Sequence, residues 1–407
     1  MSAFLSEELE NFETPLAAQY LAEFPIHPAS RNVSGTMLIL LRRNSLATAK
    51  LYYRAQLNRA RRTMLYRQRT LETPSGPLQT PILFPVRNIG KRSTDNTPEY
   101  ADSIPDLGVA MVNARAIRQR DNQWNRIQDG KTLRSEMGVP EDTIVFADSG
   151  GFDFSDDDVD TTPKRTLETQ QQIGADLLGT VDIPLLRDNR DAENQRRVKQ
   201  STDYALEASD AYGGEGLLIG SVHGHDPETI KNTIEYLDRH GEFDGYALGS
   251  MVPIRTDYKK VTKLVLSARQ ATDKHLHVYG LGGIVYQPLL LYLGVDSFDS
   301  TAFIRSAGNR NYLLPGFGGQ PLRTIENLEY LPCSCPVCQD QTLDEIRGDR
   351  DQLTKHNLWA LTMELRRFRY MVTAGEDIEA YLDLRFRGNE VTYRAFKQAK
   401  QQVRRLT

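Results

Sequence analysis

Cysteine and tryptophan are scarce: the 407 residues include three cysteines and two tryptophans. Three cysteines cannot build a disulfide-stapled scaffold, so an apolar core must hold the fold. Also missing is any apolar run near the ~18 residues that a membrane span needs. The strongest stretch, SGTMLILLRR, stops at Arg42 and Arg43. The opening residues MSAFLSEELENFE lack the basic and apolar regions of a secretory leader, and a cytoplasmic protein is expected. No short repeat or low-complexity tract occurs, and nothing resembles a P-loop. What is present is ordinary for a large globular enzyme: 26% charged residues, 39% hydrophobic residues and a mean hydropathy of −0.50.

Acidic residues are absent from one long stretch. From Arg42 to Arg69 there are nine basic residues and no acidic one, so the remainder carries −13 against a total of −4. Such a block suits a polyanion; the alternative is a solvated helix face. Tyr52, Tyr53, Leu57, Met64, Leu65 and Tyr66 interleave with the basic residues. A helix here could bury those side chains and direct Arg59, Arg61 and Arg62 at phosphates.

Short apolar runs recur along the chain: ILFPV (82–86), VAMVN (109–113), TIVFAD (143–148), DLLGTVD (176–182), LLIGSVHG (217–224), YALGSM (246–251), HVYGLGG (277–283) and VDSFD (295–299). Several gaps between them read as helices, at 189–212, 226–241, 256–273 and 286–293. The second opens on an Asp N-cap with a Glu at capping-box distance and closes on Gly. Continuous apolar strands alternating with helices indicate a parallel sheet, and eight of them predict an α/β fold of the (β/α)8 TIM-barrel type. Barrel active sites lie at the C-terminal strand ends. That rule gathers Asp148, Asp182, His223, Gly249, Gly280, Gly282 and Asp299 at one mouth.

Cys333, Cys335 and Cys338 fall within six residues, and His356 follows 18 residues later. Cys3His is a closed tetrahedral set, which predicts a structural Zn2+ rather than a catalytic one.

These motifs in this order resemble the tRNA-guanine transglycosylase superfamily over about residues 70–370. ETPSGPLQTPILFPV resembles its opening strand, ADSGGFDF its TDSGGF motif, and GADLLGTVDIP and YALGSMVP its base-recognition strands. HVYGLGG, GVDSFDST and YLPCSCPVC followed by HNLW complete the pattern. DIP, GSMVP, FDS and CSCPVC are closer to the archaeal, archaeosine-forming branch. The resemblance implies base exchange: an aspartate displaces guanine from C1′ of a nucleotide, and a 7-deazaguanine then attacks the covalent intermediate. By it Asp299 is the nucleophile and Asp148 the general acid/base. Asp182 accepts from the guanine N1–H and amine, Ser149, Gly280 and the Gly249 N–H line the base site, and Phe152 and Tyr279 sandwich the base. His223 stands where the family has a glutamine (SVHGHD against VQGG), which changes one base contact.

A second departure bears on the polymer. Only 37 residues follow Tyr370, too few for the RNA-binding domains of the archaeal members. On that ground the chain looks like a DNA 7-deazaguanine transglycosylase that inserts preQ0. The expected partners are then DNA, free preQ0 and an ATPase of a modification system, with a homodimer allowed by analogy and no membrane. Arg366, Arg367 and the Arg42–Arg69 block would grip the phosphates. The alternatives are a tRNA-guanine transglycosylase of archaeosine or queuosine type, and a non-catalytic nucleic-acid-binding subunit. A metal-dependent barrel hydrolase is disfavoured by the thin supply of ligands at His223 and His225. The expected organisation is a basic N-terminal extension (1–70), a transglycosylase barrel (71–370) with a zinc subdomain around 330–360, and a basic helical C-terminal tail (371–407).

Overall fold

The eight apolar runs form strands because each is buried on both faces, an environment that suits continuous rather than alternating hydrophobicity. The computed structural model describes residues 64–87, 104, 107–151, 162–186, 191–316 and 321–406. Arg59, Arg61, Arg62 and Phe152 lie outside them.

A hairpin of β1 (Arg69–Thr73) and β2 (Gly76–Thr80) precedes the barrel strands. These are β3 (Ile82–Pro85), β4 (Val109–Asn113), β5 (Ile144–Asp148), β6 (Leu177–Gly179), β7 (Leu217–Val222), β8 (Gly245–Leu248), β9 (His275–Val278) and β10 (Ser297–Ser300). All neighbours pair in parallel in the order β3-β10-β9-β8-β7-β6-β5-β4, and a parallel bridge from Val86 to Met111 joins the two ends. The result is the TIM-type barrel expected from the sequence.

Helices fill the gaps. After β4 come α1 (Ala114–Arg118), α2 (Asp121–Gln128) and α3 (Leu133–Met137). After β5 to β10, one per strand, come α4 (Pro163–Gln172), α5 (Asp191–Ala211), α6 (Pro227–His240), α7 (Tyr258–Ala271), α8 (Gln287–Tyr292) and α9 (Ala302–Gly308). At the start of α6 the cap differs in detail from expectation. Asp226 accepts from Thr229 N at 2.9 Å and from the Thr229 hydroxyl at 2.7 Å, because Thr229 rather than Glu228 occupies the third helical position.

The β1–β2 hairpin is anchored at the N-terminal strand ends, opposite the mouth. Ser75 N donates to Asp176 Oδ1 at 2.8 Å just before β6, and Arg67 pairs with Asp273 at 2.6 Å just before β9. Buried Arg134 closes on the other Asp176 oxygen at 2.7 Å, so that carboxylate is fully paired in the interior.

Beyond the barrel, β11 (Asn311–Leu313) pairs with β12 (Leu322–Thr324), followed by α10 (Pro336–Gln339), α11 (Leu343–Gly348) and the long α12 (Arg350–Thr373). Then α13 (Ile378–Arg387) and α14 (Glu390–Val403) carry the last described turns. Basic residues of this segment serve it structurally: Lys400 and Arg404 both reach Glu379, at 3.0 and 2.5 Å, and Glu379 also accepts from buried Tyr292 in α8. Among the described residues no helix is long and apolar enough to cross a membrane.

Candidate active site and metal centre

Strand alternation decides which side chains enter the barrel. In β3, β5 and β9 it turns Phe84, Phe146 and His277 inward, where their rings meet edge to face; Phe146 and His277 centroids are 4.8 Å apart. This aromatic layer forms a floor. Above it, Asp148 ends β5, Asp182 and His223 follow β6 and β7, and Asp299 lies in β10. The mouth therefore gathers the three carboxylates and the histidine that the sequence placed there.

Asp182 is buried, with a neighbour at each oxygen. The Ser149 hydroxyl donates to Oδ1 at 2.9 Å, and His223 Nε2 lies 3.0 Å from Oδ2, within ion-pair distance but outside hydrogen-bond geometry. On its other side His223 Nδ1 is 2.7 Å from Ser250 Oγ. Ser250 also accepts from Leu185 N at 2.7 Å, and its hydroxyl hydrogen can be given to His223 Nδ1, an arrangement that would put the ring hydrogen on Nε2, facing Asp182. Ser250 has φ +60°, a left-handed conformation that a non-glycine residue adopts only under constraint from its surroundings.

Gly249 has a different use from the one expected. Its N–H already donates to Val222 O at 3.0 Å in the sheet. What Gly249 supplies is the missing side chain, since a Cβ there would run into His223 Cε1. Gly249→Ala is expected to displace His223 from between Asp182 and Ser250 at an overpacking cost of about 1–3 kcal/mol, which a lowered midpoint in a thermal melt would show.

Asp299 is held through one oxygen. Gly280 N donates to Oδ1 at 2.6 Å and His277 Nε2 lies 3.3 Å from the same atom. Gly280 takes φ +73°, and a Cβ would press on Val252, so a glycine is required for this approach. Gly280, expected to line the base site, uses its N–H to hold Asp299. Burial, then the charges of Asp182 and Asp299, hold the Asp148 carboxyl well above the usual carboxylate range. Tyr279 crosses the interior with its ring against Phe146 and His277 and its hydroxyl over Gly179, and burial pushes that phenol up.

Sequence reading did not single out His277, Ser250, Ser297 or His275. The period of two along HLHVY carried the signal for the β9 pair: if Tyr279 points inward, so do His277 and His275.

The metal centre is separate from the mouth. Ligand atoms of Cys333, Cys335, Cys338 and His356 all lie within 4.8 Å of one another. His356 Nδ1 is 3.4 Å from Cys335 Sγ and 3.3 Å from Cys338 Sγ, close to the ~3.5 Å edge of a tetrahedron with zinc–ligand bonds of ~2.0–2.3 Å. His356 Nε2 is 2.9 Å from Leu313 O, which can only accept, so Nδ1 is the bare nitrogen a metal needs. Tyr312 stacks on that ring and sets its hydroxyl 3.0 Å from Cys338 Sγ, where it can donate to a thiolate. Four protein ligands fill a tetrahedron and leave no open position, so the zinc this set would hold braces the fold.

Of the expected phosphate contacts, Arg366 and Arg367 lie on α12 and are half-buried. Arg367 spreads over the Tyr381 ring, 5.5 Å from its centroid, and packs on Gly316.

A family model described as "Queuine tRNA-ribosyltransferase" matches residues 63–388. The chain belongs to this family. It is 30% identical over 322 residues to a tRNA-guanine(15) transglycosylase of Methanosarcina acetivorans, covering 76% of this chain and 63% of that protein. The protein of the same name from Haloferax volcanii is 28% identical over 74% of this chain and 59% of its own length. For that of Thermococcus onnurineus the values are 26%, 80% and 56%. The chain thus spans about three-fifths of these relatives.

Their names correct the expectation of DNA as the polymer, and preQ0 and an ATPase partner lose their basis with it. The expectation rested on a basic block and on the small number of residues after Tyr370. Neither discriminates: phosphate contacts position a polynucleotide without reporting its sugar or sequence, and a count of residues after Tyr370 names no polymer.

Proposed function

We propose that this chain exchanges guanine in tRNA for a 7-deazaguanine base through a covalent Asp299–nucleotide intermediate. The observation that carries the reading is the placing of two carboxyls at one mouth: Asp299 is held by Oδ1, from Gly280 N and beside His277, with Oδ2 left over, while Asp148 ends the strand β5 nearby in surroundings that favour its protonated form. In the first step Oδ2 attacks C1′, the glycosidic bond breaks, and the departing guanine accepts the Asp148 proton. In the second, the incoming base loses its proton to Asp148 and its nitrogen attacks C1′, and the C1′–Oδ2 electron pair returns to Asp299. Ser149, Asp182 and His223 form the polar wall that reads the base edge, with Tyr279 beneath it. The relatives named for guanine 15 of tRNA support that nucleotide as the target. To reach Asp299 it must leave its stack, at a cost of a few kcal/mol.

Incorporation of radiolabelled guanine into unmodified tRNA and, in parallel, into duplex DNA tests the reading. Label in tRNA that is lost on Asp299→Ala supports it; label in DNA alone, or in neither, overturns it.

Asp148→Asn is expected to lower exchange by about 10²–10⁴-fold. It should also remove a pH-dependent weakness of the fold. A raised folded pKa means that the native state holds more protons than the unfolded chain, from the ordinary aspartate value upward. Wild-type stability therefore declines as pH climbs through that window, and activity declines with it as the acid is lost. The asparagine variant should melt higher than wild type at pH 8 and match it more closely at pH 4; thermal melts at the two pH values check the sign.

A further inference from the structure

Beneath Asp299 the interior holds a chain of polar groups that the reading above leaves unused. Ser297 Oγ lies 2.7 Å from His275 Nε2 and 2.7 Å from His277 Nδ1, and His277 continues to Asp299 Oδ1 at 3.3 Å. All four residues are buried. The other groups facing His277 are the rings of Phe84, Phe146 and Tyr279.

Proton count fixes the direction of the chain. Beside an ionised Asp299, a bare His277 Nε2 would set a lone pair against a carboxylate oxygen, so Nε2 carries the hydrogen. His277 Nδ1 then accepts the single Ser297 proton, and Ser297 Oγ accepts from His275 Nε2–H. His275 Nδ1 is left bare and has no hydrogen-bond partner among the described residues. Burial moves both imidazoles away from protonation: His277 is lowered, and His275, with His277 and the Arg269 and Arg69 cations as lesser causes, falls to about 3.

We propose that His277, with its tautomer locked by Ser297 and His275, is a positioning residue that holds Asp299 Oδ1 with a neutral N–H donor and presents Oδ2 to C1′. The proposal rests on Asp299 as the nucleophile. Oδ1 keeps its two donors throughout, from Gly280 N and His277 Nε2. They favour the carboxylate before attack, and again as the C1′–Oδ2 bond breaks and negative charge returns to Asp299.

The first test needs no activity. Long-range 1H–15N spectra of the full chain labelled at histidine nitrogens, assigned with His275→Gln and His277→Gln, should show both rings as neutral Nε2–H tautomers from about pH 5 to 8. An Nδ1–H tautomer at His277, or its titration in that range, overturns the proposal. The second test compares His277→Phe with His277→Gln in base exchange. The phenylalanine variant should lose about 10- to 100-fold in kcat, the usual range for a hydrogen bond to a charged group, with KM for tRNA unchanged. The acid limb of its pH profile should also move upward. Glutamine, whose amide N–H can replace Nε2–H, should restore most of the rate. An unmoved acid limb in the phenylalanine variant overturns the positioning role. If wild type exchanges no base with tRNA, the functional reading fails, while the spectra still decide the His277 contact.

Discussion

Asp299→Asn should yield a folded protein that forms no covalent RNA adduct and exchanges base at least about 10³ times more slowly. Asparagine keeps the volume and the Oδ1 that accepts from Gly280 N and faces His277, so the interior hydrogen bonds survive. What disappears is the anionic second oxygen, and a neutral amide cannot form the ester to C1′. Labelled tRNA quenched without incoming base and run on a denaturing gel should show a shifted band for wild type and none for the variant. Melting temperatures should differ by no more than a few degrees. Asp299→Ala is the poorer control for stability, because it leaves a void and an unpaired Gly280 N–H. An adduct that persists in the asparagine variant would move the nucleophile elsewhere. Asp182 is the next carboxylate at the mouth, but Ser149 donates to its Oδ1 and the His223 ring crowds its Oδ2. A persisting adduct would therefore require those contacts to open on binding.

The strands and the carboxylates were legible for one reason: each short, continuous apolar run marks a strand, and its end marks a place in the barrel. Runs such as TIVFAD and YALGSM are apolar on both faces, and the residue that ends such a run must emerge at the barrel mouth. Asp148, Asp182, His223 and Asp299 followed from that rule without any knowledge of contacts. The Ser250–His223 contact did not, because it depends on a serine at φ +60°, and no pattern marks a non-glycine residue in that conformation. Gly249 and Gly280 were placed at the site, but the partners of their N–H groups, Val222 O and Asp299 Oδ1, were not legible. Whether a backbone N–H faces a ligand or a neighbouring strand depends on register, which composition does not carry. The polymer was misread for a different reason: DNA was inferred from how few residues follow Tyr370, and a residue count after the barrel carries no chemistry that tells RNA from DNA.

Cys335→Ser should lower stability and zinc content together, by an amount far beyond a conservative exchange at a buried position. The Cys3His set ties the short α10, through Cys335 and Cys338, to α12 through His356. Through the His356 Nε2 contact to Leu313 O it also reaches β11. Without metal, this corner would bury three thiols and a histidine with few partners besides one another and Tyr312. A serine hydroxyl is a poor zinc ligand, and three remaining ligands would hold the ion weakly. A loss on the order of 3 kcal/mol or more is expected, with the melting temperature falling by roughly 5–10 °C. Elemental analysis should give about one zinc per wild-type chain and much less in the variant. Added chelator should destabilise wild type toward the variant and leave the variant almost unmoved. The comparison separates a bracing ion from a catalytic one: residual folded Cys335→Ser at low temperature should retain covalent-adduct formation, because Asp299 and Asp148 lie at the barrel mouth and no protein–zinc position is open to substrate. A variant that stays stable and zinc-replete would show that the ligand set is wrong. A folded, zinc-free variant that forms no adduct would instead show that the metal corner contributes to binding the nucleic acid.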